Sequence, residues 1–198
     1  MNPYDLIAIG SSWGGLSALE QLLSALPAGF ATPIVIAQHR APDSGSGALQ
    51  TMLGVRSGLD VCEAGDKDPI EPGKVYLAPP DYHLLVEEDG FALSTDGQVQ
   101  YSRPSVDVLF DSAADAYGPR MIAVILTGAN DDGAYGVKRV KRRGGFTIAQ
   151  DPETAEKRSM PDAAIATGAV DRVLALGDIA PLLADLAGAR ERRGGRAA

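Results

Sequence analysis

The chain has 198 residues, of which 45% are hydrophobic and 22% charged, and a net charge of −8. This suits one soluble α/β domain with its own core, offers no run near the roughly 20 apolar residues of a membrane span, and argues against a general nucleic-acid binder, whose electrostatic footprint is basic. A single Cys62 cannot form an internal disulfide, and Met1-Asn2-Pro3-Tyr4-Asp5 lacks the basic flank and apolar stretch of a secretory signal, so a cytoplasmic protein without membrane insertion is expected.

Strand-like runs rich in β-branched residues alternate with helical spacing from the start. Leu6 to Ile9 reads as a strand, Leu16, Leu19, Leu22, Leu23 and Leu26 as one helix face, and Pro33 to Ala37 as the next strand, a βαβ unit. Lys74 to Ala78, Tyr82 to Glu87 and Phe91 to Ser94 read as short strands joined by Pro79-Pro80-Asp81 and Glu88-Asp89-Gly90, a small antiparallel insertion. Alternation resumes with a helix after Pro104-Ser105, a strand at Met121 to Leu126, a helix from about Ala134 to Arg142 and a strand at Phe146 to Ala149. A helix near Met160-Pro161, a strand over Val170 to Leu176 and a helix from Ile179 to Leu186 complete the pattern. The expected fold is a single doubly wound, mostly parallel sheet with helices on both faces and a hairpin insertion. One domain is expected over residues 1–188, followed by a basic, frayed tail over 189–198 with no apolar face to bury.

Three of these strands end in a reactive side chain. Gly10-Ser11-Ser12-Trp13-Gly14 fits Gly-x-Ser-x-Gly, a strand-to-helix turn that thrusts the central serine out. The helix that follows aims unpaired N–H groups at this point, which favours an oxyanion and equally a phosphate. Only two histidines exist. His39 closes the neighbouring strand and would stand beside Ser12, whereas His83 falls in the hairpin, where a structural role is expected. Asp131 and Asp132 follow the strand at Met121 to Leu126, so at least one can point into the crevice while the other caps the next helix. A nucleophile, a base and an orienting acid from three strand ends point to a serine hydrolase. The alternatives are a nucleotide- or phosphate-binding Rossmann-like domain, in which Ser12 stands where a glycine should approach pyrophosphate, and a non-catalytic scaffold derived from an esterase fold.

At this point the sequence resembles the catalytic domain of the CheB-type chemotaxis methylesterases, protein-glutamate methylesterases and glutamine deamidases that act on chemoreceptors. The likeness runs from Leu6 to Leu186 and is carried by Ile9-Gly10-Ser11-Ser12-Trp13-Gly14-Gly15, Gln38-His39, Ala78-Pro79-Pro80-Asp81-Tyr82-His83-Leu84, Arg103-Pro104-Ser105-Val106-Asp107, Leu126-Thr127-Gly128, Asp132-Gly133-Ala134, Gln150-Asp151-Pro152 and Ser159-Met160-Pro161. The resemblance implies Ser12 as nucleophile, His39 as general base and acid, Asp132 rather than Asp131 as orienting carboxylate, and backbone N–H groups near Trp13 and Ala129 as oxyanion donors. It implies no cofactor and no metal, and a methylated chemoreceptor (methyl-accepting chemotaxis protein) cytoplasmic domain as partner. The chain departs from the family pattern at Trp13, Ala129, Asn130 and Asp162. The receiver domain that commonly switches the family enzyme does not precede Leu6, so the chain is expected to be unregulated, regulated by a trans-acting partner, or a fragment of a longer protein.

Overall fold

The computed structural model describes residues 3–41 and 47–187; the basic tail expected over 189–198 lies outside the described residues. Among the described residues there are nine strands: β1 (Leu6–Ser11), β2 (Ile34–Gln38), β3 (Asp60–Glu63), β4 (Lys74–Leu77), β5 (His83–Glu87), β6 (Gly90–Ser94), β7 (Met121–Ile125), β8 (Phe146–Gln150) and β9 (Arg172–Leu174). Six α-helices accompany them among the described residues: α1 (Gly15–Ser24), α2 (Ala48–Ser57), α3 (Val106–Tyr117), α4 (Ala134–Arg142), α5 (Ser159–Ala166) and α6 (Leu176–Ala187). Seven strands form one parallel sheet in the order β3-β4-β2-β1-β7-β8-β9, and β5 and β6 pair antiparallel as a separate hairpin.

The strands at the centre of the sheet are apolar at successive positions because both faces are covered. Leu6 and Ala8 of β1 join a core with Val106, Leu109 and Phe110 of α3, Val137 and Val140 of α4, Met160 of α5 and Phe91 of the hairpin. Ile7 and Ile9, one residue out of phase, join Leu19, Leu22 and Leu23 of α1, Leu53 of α2 and Ile179 and Leu183 of α6. From β1 the chain first winds towards β2, β3 and β4, then returns to the other side of β1 at β7. The sheet therefore reverses its winding between β1 and β7, and crevices outside the carboxyl ends of strands at such a switch point are where ligands bind in this architecture.

The doubly wound sheet and its hairpin match the expectation, with two corrections in the middle of the chain. Lys74 to Ala78 does not belong to the insertion: β4 lies inside the parallel sheet between β3 and β2. It reaches that place through α2 and β3, which the sequence reading passed over. A four-residue strand with an exposed first residue and a helix that buries only Leu53 carry little periodic signal.

Close approach of α3 to β1 depends on a missing side chain. A Cβ on Gly10 would stand 2.2 Å from Cγ1 of Val106 in the first turn of α3, and the neighbouring β1 positions Ala8 and Ile9 are fully buried. Gly10→Ala is expected to lower stability by about 1–3 kcal/mol through overpacking, read as a reduced denaturation midpoint with an unchanged slope. A midpoint equal to that of the unsubstituted protein would contradict this close seat.

Candidate active site

Register brings the ends of β1 and β2 side by side. Ser11 pairs with Gln38, and His39 N–H donates to Ser11 O at 3.0 Å, so Ser12 and His39 are the next residues along adjacent strands. On the other side Ser12 N–H donates to Thr127 O at 3.0 Å, which ties the serine to the chain leaving β7. The Gln38 amide braces this corner: its Oε1 accepts from Ser11 Oγ at 2.7 Å, and its Nε2 donates to Ser12 O at 2.9 Å and His39 O at 2.8 Å. Gln38 also packs against Gly15, where a Cβ would lie 2.1 Å from its Oε1, so the hollow of the glycine turn is filled by protein.

Ser12 is not the strained residue of its turn. The left-handed backbone falls on Gly14 (φ 76°), the N-cap of α1, and a Cβ there would also press on Glu156 at 2.7 Å. Ser12 Oγ has no hydrogen-bond partner among the described residues, and the backbone N–H groups of Trp13 and Ala129 have no intramolecular acceptor among them either. Trp13 directly precedes Gly14, the N-cap of α1, and Ala129 lies on the loop after β7; uncommitted N–H groups of this kind attract developing negative charge. The Trp13 side chain is 60% exposed, donates through Nε1 to Glu156 Oε1 at 2.8 Å and has Lys157 Nζ 5.9 Å from its ring.

Behind His39 lies Asp132, whose side chain is wholly buried. Its Oδ2 accepts from His39 Nε2 at 2.7 Å and from Val106 N–H at 2.7 Å; its Oδ1 accepts from Ser105 Oγ at 2.8 Å and Asp107 N–H at 2.9 Å. Ser105 is the N-cap of α3, so the carboxylate sits on the N-terminus of that helix, at the positive end of its dipole. A carboxylate only accepts, so the bond at Nε2 places the ring proton there and leaves the lone pair of neutral His39 on Nδ1. The group in reach of Nδ1 is Ser102 Oγ at 3.3 Å. Asp131 is exposed and its side chain caps nothing, contrary to the expected division of labour in the Asp-Asp pair.

The cap of α4 comes instead from Asp107. Its Oδ1 accepts from Gly133 N–H at 2.9 Å and Gly136 N–H at 2.7 Å, so the helix that receives Asp132 returns a carboxylate to the helix that follows Asp132. Burial holds the Asp107 carboxyl up at about 6; the Gly136 N–H opposes the shift, and the Asp132 charge adds to it. His83 is buried in this scaffold: Nδ1 accepts from Ser105 N–H at 3.2 Å and Nε2 donates to Gly97 O at 3.0 Å, a structural histidine as expected.

Ser12, His39 and Ala129 open on one cleft of about 500 Å³, together with Arg40, Tyr101 and Asn130. Asp132 stands behind His39, out of this cleft. Asn130 bridges locally, with Nδ2 reaching Gln100 O and Oδ1 accepting from Asp132 N–H, both at 3.4 Å. Asp162 of α5 pairs at 2.7 Å with Arg158, the residue just before that helix, and does not line the cleft. Gln38, Ser102, Ser105 and Asp107 carry no site signal in the sequence. Ser105 and Asp107 were visible as a helix start; their common target was not.

The family model for CheB methylesterase matches residues 7–183. The chain belongs to the CheB methylesterase family. A relative from Leptospira interrogans, named putative protein-glutamate methylesterase/protein-glutamine glutaminase, is 47% identical over 90% of this chain and 93% of its own length. The protein-glutamate methylesterase/protein-glutamine glutaminase of Moorella thermoacetica is 42% identical over 92% of this chain, and the protein-glutamate methylesterase FrzG of Myxococcus xanthus 41% over 91%. This chain spans about half the length of those two, 44% and 54% respectively. The crystal structure of the Thermotoga maritima CheB methylesterase catalytic domain superposes with a TM-score of 0.89 at 38% identity, covering 92% of this chain and 98% of that one.

The reciprocal caps have a measurable electrostatic signature. Because the Asp107 carboxyl titrates near 6 in the folded protein and near 3.8 unfolded, the folded state binds the extra proton between those values, and this residue's contribution to stability falls as pH rises from about 4 to 6. Asp107→Asn keeps an acceptor for Gly133 and Gly136 without the charge. Denaturant melts of the two proteins at pH 4 and pH 7 are expected to show the variant losing less stability, by on the order of 2 kcal/mol; parallel pH profiles would contradict the assignment.

Proposed function

We propose that this CheB-family chain hydrolyses the γ-methyl esters of glutamate side chains on the cytoplasmic helices of methylated chemoreceptors, with Ser12, His39 and Asp132 as its triad, and deamidates glutamine by the same route. The observation that carries the reading is the shared cleft: an uncommitted serine hydroxyl beside an uncommitted N–H at the start of α1 faces the same space as an imidazole backed by a buried carboxylate. We place the reaction in the cytoplasm; no described helix is long and apolar enough to cross a membrane.

In this mechanism Ser12 Oγ attacks the ester carbonyl carbon as its proton passes to His39 Nδ1, the basic nitrogen that the Asp132 contact leaves. The carbonyl oxygen becomes an oxyanion met by the N–H groups of Trp13 and Ala129. Collapse breaks the bond to methoxide, which takes the proton from Nδ1 and leaves as methanol. Water, deprotonated by the same nitrogen, then cleaves the glutamyl ester of Ser12 and releases glutamate; with an amide substrate the first leaving group is ammonia. The change of side chain at Ala129 leaves this step intact because the donor is main chain.

Ser102 also presents a hydroxyl to His39, and its surroundings favour Ser12 as nucleophile. The Ser102 N–H is spent on Val99 O at 2.9 Å and no helix starts there, whereas Ser12 precedes the open N-terminus of α1. Methanol release from a methylated receptor fragment is expected to fall by about 10³-fold or more in Ser12→Ala, with fluorophosphonate labelling of the protein lost as well. Equal rates for the two proteins would remove Ser12 from the mechanism.

A further inference from the structure

Between β6 and α3 the chain makes a tight turn that the reaction as described leaves without a task. Val99 and Ser102 exchange both backbone hydrogen bonds, at 3.1 and 2.9 Å, around Gln100 and Tyr101, whose φ values are 49° and 60°. A two-residue turn with both central residues left-handed is built most easily from Asn and Gly. Here it carries Gln and Tyr, a strained choice of the kind that clusters at functional sites. Arg103 fixes the base of the turn by donating to Thr95 O at 2.7 Å and Asp96 O at 2.9 Å and by pairing with Asp81 at 2.6 Å. The result is a Tyr101 side chain that is 94% exposed and yet lines the same cleft as Ser12 and His39.

Two features of the turn bear on the substrate. A glutamyl ester is small, and its reacting end must reach Ser12 in the cleft; a Tyr101 ring standing almost wholly in solvent on the same lining meets what extends beyond that side chain, namely the polypeptide that bears it. Rigid aromatic side chains supply such contacts at low entropic cost. Ser102, the next residue, has its Oγ 3.3 Å from His39 Nδ1 and 3.3 Å from Gln100 O. Its one proton is shared between two long contacts, a weak hold on the nitrogen that the reaction needs free.

We infer that this turn reads the polypeptide around the scissile side chain: Tyr101 packs against the chain that carries the ester, and Ser102 rests on the His39 base until that chain is seated. The inference deepens the esterase reading and rests on it. It makes Tyr101 a specificity-determining contact and Ser102 a positioning residue that acts through His39.

The test compares a methylated receptor fragment with 4-nitrophenyl acetate, an ester that bears no polypeptide. Tyr101→Asn removes the ring and keeps a residue suited to the left-handed backbone. It is expected to raise KM for the protein substrate about fivefold or more, with a smaller change in kcat and a smaller loss of kcat/KM on the small ester. Ser102→Ala removes the competitor for Nδ1 and is expected to raise kcat/KM on the small ester about two- to threefold, with Ser102→Thr, which keeps the hydroxyl, bringing it back down. Equal losses on both substrates in Tyr101→Asn, no change in protein KM, or a slower small-ester reaction in Ser102→Ala would overturn the inference. Small-ester turnover that survives Ser12→Ala overturns the esterase reading itself, a result distinct from any of these.

Discussion

A buried carboxylate on a helix N-terminus organises this site. Asp132 is removed from water and receives four donors, three of them from the first residues of α3 and the fourth from His39. An unpaired carboxylate in this position would cost several kcal/mol, about the penalty of breaking a buried ion pair; the helix N-terminus and its cap supply the compensation. Everything that brings α3 to this point therefore serves the site. Gly10 admits Val106 against β1, His83 holds the N–H of the cap residue Ser105, and Asp107 ties the second residue of α3 back to the loop that carries Asp132.

In the proposed mechanism this anchoring decides which imidazole nitrogen works. In chymotrypsin-like triads the acid holds Nδ1 and Nε2 does the chemistry. Here the acid holds Nε2, and the nitrogen nearer the main chain faces the cleft. The difference suits the origin of the two residues. Ser12 and His39 leave adjacent parallel strands in matching register, roughly 5 Å apart, so the proposed base has little distance to span and the far edge of the ring is free to reach the carboxylate behind it. Gln38 then locks both main chains by holding their carbonyl groups with one amide.

The parts of this arrangement that rest on local pattern were legible in the sequence. The apolar runs of β1, β2 and β7, the helix face of α1 and the hairpin β5–β6 each declare themselves by period and by turn residues, and the reactive side chain at each strand end follows directly. The residues alone left Asp131 and Asp132 open, because adjacent carboxylates on a turn differ only in where the turn points them. β4 was legible as a strand but not as a member of the parallel sheet, since its partner is set by the weakly patterned α2 and β3 that precede it. Asp107 looked like an ordinary acid in a first helical turn, and Ser102 like one polar residue of a loop; both matter because of what the fold carries to them, 25 residues away for Asp132 and 63 for His39.

The central claim is that Asp132, seated on α3, holds the Nε2 proton of His39 and leaves the Nδ1 lone pair on the cleft. Nitrogen-15 NMR of the two ring nitrogens of His39, in protein with neutral imidazole and assigned by comparison with His39→Gln, reads this directly. The account predicts a protonated Nε2 and a bare Nδ1. A neutral ring protonated at Nδ1, with Nε2 bare, would contradict it.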